Sequence, residues 1–208
     1  MKTTTAASTL LVLFLLTGVN QGVAQEAQTL FNNDVAHGGA GGPMVSFSDI
    51  DGELGVWVGG RGGWIINFDN NHAITLGGGG YGLVTEHGVP DADFGDPDTD
   101  YFAFNGYGGF VFEYTNRSYS LVHPTVSVLL GAGGLEISDR DFNETDHNSD
   151  QYFVFEPNAN LELNITDFFR IGVGASYRLT NGINRAGFSD SDFSGLNGLI
   201  TLKFGSFL

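Results

Sequence analysis

Residues 152–165 alternate strictly between two chemistries, and a helix cannot separate them. One set reads Phe153, Phe155, Pro157, Ala159, Leu161, Leu163 and Ile165; the other reads Tyr152, Val154, Glu156, Asn158, Asn160, Glu162 and Asn164. A period of two is the signature of a strand with two unlike faces. Residues 168–179 repeat it, with Phe169, Ile171, Val173, Ala175, Tyr177 and Leu179 opposing Phe168, Arg170, Gly172, Gly174, Ser176 and Arg178. In 101–114, Phe102, Phe104, Phe110, Phe112 and Tyr114 share one face, and Asn105, Tyr107 and Glu113 the other.

The same reading gives eight candidate strands, near 43–49, 53–67, 73–86, 101–114, 120–137, 151–164, 168–180 and 195–207. Between them, Asp49-Ile50-Asp51-Gly52 and Phe68-Asp69-Asn70-Asn71 are tight turns. A long loop at 87–100, a short turn at Thr115–Tyr119, a long loop at 138–150, a short turn at 165–167 and a long loop at 181–194 follow. Short and long connections therefore alternate from the second onward, which is the habit of bacterial outer-membrane barrels with short periplasmic turns and longer outer loops. The expected fold is an all-β, eight-stranded, antiparallel up-and-down transmembrane barrel over 42–208 with a polar interior filled by side chains. Residues 25–41 read as a flexible, Gly-rich lead-in. Pro157, inside a central strand, calls for a bulge.

Charge decides which face points outward. The charged strand-body residues are Glu53, Arg61, Glu113, Glu156, Glu162, Arg170, Arg178 and Lys203, and by parity all lie on the polar faces. So sparse and balanced a set solvates a water-exposed exterior poorly. It suits a narrow lumen, where each charge needs a partner. Arg61, Arg170 and Arg178 are the expected bridging centres, because a guanidinium fork serves two carboxylates. Aromatics towards the strand ends (Trp64, Phe68, Phe102, Tyr114, Phe168, Phe169) fit interfacial girdles.

Export is expected from the N-terminus. Lys2 is the first charge, Leu10 to Leu16 is apolar, and Gly22-Val23-Ala24 offers small residues for cleavage after Ala24, so that 1–24 reads as a signal peptide. That apolar run is too short for a membrane-spanning helix. The chain has no Cys, so its stability is not a matter of disulfides. Its formal charge of −16, or −17 once Lys2 is removed, argues against a nucleic-acid partner. The alternation of Leu196, Ile200, Leu202 and Phe204 with Asn197, Thr201 and Lys203, closing on Phe207-Leu208, looks like the terminal strand read by the barrel-assembly machinery.

Two further stretches carry a resemblance. The run from Val58 to Asn67 (VGGRGGWIIN) with Gly77 to Val84 (GGGGYGLV), and the run from Tyr107 to Tyr114 (YGGFVFEY), resemble uncharacterised outer-membrane β-barrel proteins of the Bacteroidetes and related bacteria. That resemblance spans roughly 42–135; more coarsely, the layout is similar to small barrels of the OmpA and OmpX type. It implies fold and cell outer-membrane location, and no activity.

Other motifs have plainer readings. The Gly-rich stretches 59–63, 77–82, 106–109 and 131–134 open no helix, so they are strand curvature rather than phosphate cradles. Asp91, Asp93, Asp96, Asp98 and Asp100 supply oxygen ligands for Ca²⁺ but lack the EF-hand order. With Asp139, Asp141, Glu144, Asp146 and Asp150 they read as a solvated acidic surface. His87 and His147 fall in outer loops and His123 near the periplasmic end, none with a Ser and an acid at defined spacing; they read as surface or packing histidines. The expectation is a monomeric, cofactor-free, non-enzymatic envelope barrel, in contact with outer-membrane lipid and meeting any extracellular partner through acidic loops at 87–100, 138–150 and 181–194. The alternatives are a narrow porin-like channel for small solutes and a lipid-modifying enzyme.

Overall fold

The computed structural model describes residues 35–68, 71–89, 100–139 and 145–207. The signal peptide expected over 1–24 and four of the five candidate calcium ligands, Asp91, Asp93, Asp96 and Asp98, lie outside them; Asp100 is exposed. Eight long strands close a barrel: β1 (Ala36–Ile50), β2 (Glu53–Asn67), β3 (His72–Leu83), β4 (Tyr101–Asn116), β5 (Val122–Asp139), β6 (Thr145–Thr166), β7 (Phe169–Asn181) and β10 (Gly195–Ser206). Every neighbouring pair is antiparallel, and β1 completes the circle by pairing with both β2 and β10. Between β7 and β10 lie a small hairpin, β8 (Asn184–Arg185) with β9 (Phe188–Ser189), and the one-turn helix α1 (Asp190–Phe193).

The turn between β1 and β2 shows local sequence at work. Asp51 and Gly52 take φ of 50° and 82°, the left-handed pair that a two-residue hairpin requires, and the Gly52 N–H donates to Asp49 Oδ1 at 3.1 Å. That turn marks the upper end of the barrel, with the β3–β4, β5–β6 and β7–β10 connections. The lower end carries both ends of the described chain and the remaining turns.

The inversion deduced from charge is what the fold displays. Phe153 and Leu161 are 52% and 56% exposed on the outside, with Phe110, Leu196 and Val173. Glu156, Glu162 and Arg178 point inward and are buried. Closure leaves no sheet edge, so every strand can find a partner without water.

Several expectations are corrected. Residues 36–41 belong to β1 rather than to a lead-in: Gly39 pairs with Trp64 on β2 and with Ser206 on β10. No bulge occurs at Pro157, which pairs with Val128; the ladder to β7 lapses at 156–157 and resumes in the same register. Losing a Pro N–H costs a ladder bond without demanding an extra residue. The irregularities fall instead at 135–137 and 164–166. The long loops are also partly ordered. Asp139 ends β5 and Asp146 and Asp150 lie in β6, while Asp141 and Glu144 are outside the described residues. His87 and Val89 extend the sheet along β4, through Ala103 N–H to His87 O at 2.9 Å and Val89 N–H to Tyr101 O at 3.1 Å.

Glycine makes room inside. A Cβ at Gly133 would collide with the Tyr152 ring, and one at Gly79 would sit 2.8 Å from Arg61 Cβ. These two glycines let a bulky inward side chain on a neighbouring strand lie across the wall.

Candidate functional site

The lumen is filled in three layers. Each layer is built from inward positions of different strands, so it exists only once the barrel has closed.

The lower layer is ionic. Lys203 on β10 reaches across to Glu113 Oε1 on β4, 2.6 Å away, and to Glu162 Oε1 on β6. Arg61 on β2 contacts Glu113 Oε2 at 2.8 Å and donates to Ser127 Oγ at 3.0 Å. Glu162 meets His123 Nε2 at 3.5 Å and Arg170 at 4.0 Å, while Arg170 donates to Ser118 O at 3.2 Å and lies 3.8 Å over the Phe207 ring. Burial strengthens the attraction within each charged pair and, by the same desolvation, makes it costly to leave any one of these charges unpaired.

The middle layer joins its two charges through a phenol. Tyr107 OH donates to Glu156 Oε2 at 2.7 Å, and Arg178 Nη1 approaches that same hydroxyl at 3.5 Å. Arg178 also stacks 4.1 Å over Trp57 and donates to Ser48 Oγ at 3.3 Å, and Ser176 Oγ donates to Glu156 Oε1.

The upper layer is apolar, which the polar-interior expectation missed. Ile50, Leu135, Ile137 and Val154 meet Ile183, Phe188 and Phe193 of the β7–β10 connection. Phe193 O accepts from Arg178 Nε at 2.6 Å, so α1 is tied to the middle layer. Asp190 Oδ1 accepts from the Gly182 and Ile183 N–H groups at 2.8 Å each, and Ser189 with Asp192 forms a capping box. This connection is thus a fixed lid.

Of the eight charged residues singled out by parity, seven line the lumen: Arg61, Glu113, Glu156, Glu162, Arg170, Arg178 and Lys203. Glu53 does not. Its side chain is 69% exposed, because the inward parity of β2 reaches the upper rim there and no wall stands above it. Nor is Arg the bridging centre: among the described residues Lys203 alone holds two carboxylates closely, and Arg178 meets Glu156 through Tyr107. The compact ammonium suits a lumen this narrow, where carboxylates approach from two walls. His123, read as a packing residue, is a buried member of the ionic layer. The signal for it was present, since it shares parity with Thr125 and Ser127.

At the upper rim, Glu53 finds His87. Its Oε2 lies 3.5 Å from Nδ1, and Nε2 is 2.9 Å from Thr85 Oγ1, which accepts the Val56 N–H at 3.1 Å. Burial holds the His87 pKa below its ordinary 6.5, against the opposing pull of Glu53. A neutral imidazole in this row ties the end of β3 to β2. Sequence spacing gave no hint of it, because Glu53 is remote along the chain.

No family model matches the chain, and no curated protein does. Among solved structures it is similar to Neisserial surface protein A (NspA), at 10% identity over 84% of this chain and 99% of that one, with a TM-score of 0.48. It is similar also to Ail, the attachment invasion locus protein of Yersinia pestis, at 18% identity over 81% and 95%, with a TM-score of 0.43. The fold assignment rests on this chain's own closed strand pairing. The likeness of 42–135 to barrels of the Bacteroidetes stays a resemblance.

Proposed function

We propose that this chain is an integral outer-membrane β-barrel with a closed lumen, non-enzymatic, which serves the envelope as a structural or surface-interaction protein. One observation carries the reading: the outside of the barrel wall is apolar all round except for Glu136 towards its upper end, while seven charged side chains point into the lumen. Soluble monomers rarely expose apolar patches beyond a few hundred Å², whereas lipid requires such a surface. In this reading the lower end faces the periplasm, and the acidic connections at the upper end meet the environment.

The filled lumen favours closure over conduction. Two inner cavities among the described residues hold about 30 and 10 Å³, and the lid stands above them. A small eight-stranded barrel is only wide enough for side chains to occupy it.

Fractionation with a heat-modifiable gel shift tests location and fold. The protein is expected in the outer membrane, migrating faster unheated than boiled. Recovery as a detergent-free soluble monomer would refute the reading. In planar bilayers, stepwise conductance of porin size would refute closure.

A further inference from the structure

The ionic layer is not neutral. Among the described residues, Arg61, Arg170 and Lys203 supply three positive charges and Glu113 and Glu162 two negative ones, so one positive charge is left over before His123 is counted. These side chains are 8%, 7%, 11%, 5% and 0% exposed, respectively. Glu156 shares a small cavity with Arg61, but it is matched by Arg178 through the Tyr107 phenol, so counting that pair as well leaves the same surplus of one. Asp167, at the lower turn, is exposed. An uncompensated charge in a protein interior is strongly disfavoured, and it recruits a partner.

A place for that partner exists. A cavity of about 30 Å³ is lined by Arg61, Arg170, Lys203, Glu113, Thr75 and Thr115, among others. The Nε atoms of Arg61 and Arg170 are both buried, and among the described residues neither has a hydrogen-bond acceptor. Below it lies a wider basin of about 330 Å³, and Arg170, Ser118 and Phe207 line both. The Arg170 guanidinium and the Phe207 ring therefore stand between the inner cavity and the lower end, on the path an ion would take.

We propose that this cavity binds one small monovalent anion of the halide class, such as chloride, between Arg61 and Arg170. One charge is needed, so a divalent anion would overshoot. The volume suits two or three water-sized occupants, at roughly 10–15 Å³ each, which leaves little space for a polyatomic ligand. A spherical anion also accepts from N–H donors at any angle, as two guanidiniums from different strands demand. The inference rests on the charge count inside the lumen and not on the outer-membrane location, so either can fail alone.

The test uses the whole barrel in non-ionic detergent, moved from potassium gluconate to potassium chloride at constant ionic strength. Tm should rise saturably with chloride, by about 3–6 °C at ten times the dissociation constant, and bromide should substitute. Arg61→Met leaves two cations against two carboxylates and should abolish the dependence. Glu113→Gln leaves two surplus charges and should lower the chloride concentration at half-effect. Equal Tm values for the wild type in both salts would overturn the proposal, as would an Arg61→Met protein that keeps the full shift. Should Arg61→Met not fold, Glu113→Gln decides, with an unchanged or raised half-effect concentration counting against the site. Bromide-soaked crystals of the wild type give a further reading: an anomalous peak between Arg61 and Arg170 supports the site, and its absence there refutes it.

Discussion

Replacing Lys203 with Met removes the ammonium that holds two buried carboxylates, and the structure says which of them suffers. Glu113 keeps Arg61 at 2.8 Å. Glu162 is left with His123 at 3.5 Å, Arg170 at 4.0 Å and the Thr125 hydroxyl donating to Oε1 at 3.4 Å, none of them a close ion pair, while its side chain stays fully buried. Breaking a buried ion pair from one side costs about 3–5 kcal/mol. The partner surviving on Glu113 places Lys203→Met near the lower figure, about 3 kcal/mol. Adding Glu162→Gln removes that carboxylate but leaves the buried Arg170 guanidinium without its own, so the double variant is expected within about 1 kcal/mol of the single one. Arg117→Met, which deletes an exposed positive charge at the same end of the barrel, should stay within about 0.5 kcal/mol of wild type. Urea unfolding in detergent micelles, followed through Trp57 and Trp64 fluorescence, measures all three. A Lys203→Met protein within about 1 kcal/mol of wild type, or a double variant more than about 2 kcal/mol from the single one, would refute the reasoning.

Three more outcomes are expected. Leu161→Arg puts a charge on the apolar exterior and should cost about 2–4 kcal/mol near the bilayer midplane; in a water-soluble barrel the same change would be neutral, and refolding into lipid vesicles tells them apart. Phe193→Ala empties the centre of the lid and should cost about 3–5 kcal/mol, yet leave bilayer conductance near zero because Trp57, Tyr107 and Arg178 still fill the layer beneath. The depressed His87 pKa makes the folded state the poorer proton binder, so its stabilisation is complete above the unfolded value near 6.5 and fades as pH falls through the lower folded value. Wild type should therefore lose more stability than His87→Gln between pH 7 and 5, seen as faster amide exchange over Val84–Val89; equal losses would contradict it.

The amino-acid sequence by itself determined the architecture, because alternation and side-chain chemistry are local. Phe153 next to Val154 next to Phe155, repeated along strands of the right length, admits a two-faced sheet, and four acids against four bases choose which face points outward. Asp51-Gly52 likewise dictates its own turn. The content of the lumen was decided only by closure. Which carboxylates reach Lys203 depends on how eight strands are staggered around a ring, and no spacing along the chain encodes that stagger. Parity put Glu53 inside, but the wall ends below it; parity alone also could not show that the segment from Asn184 to Phe193 folds back as an apolar lid. Faces follow from a two-residue period, whereas partners follow from three-dimensional register, and the functional chemistry of this barrel depends on the second.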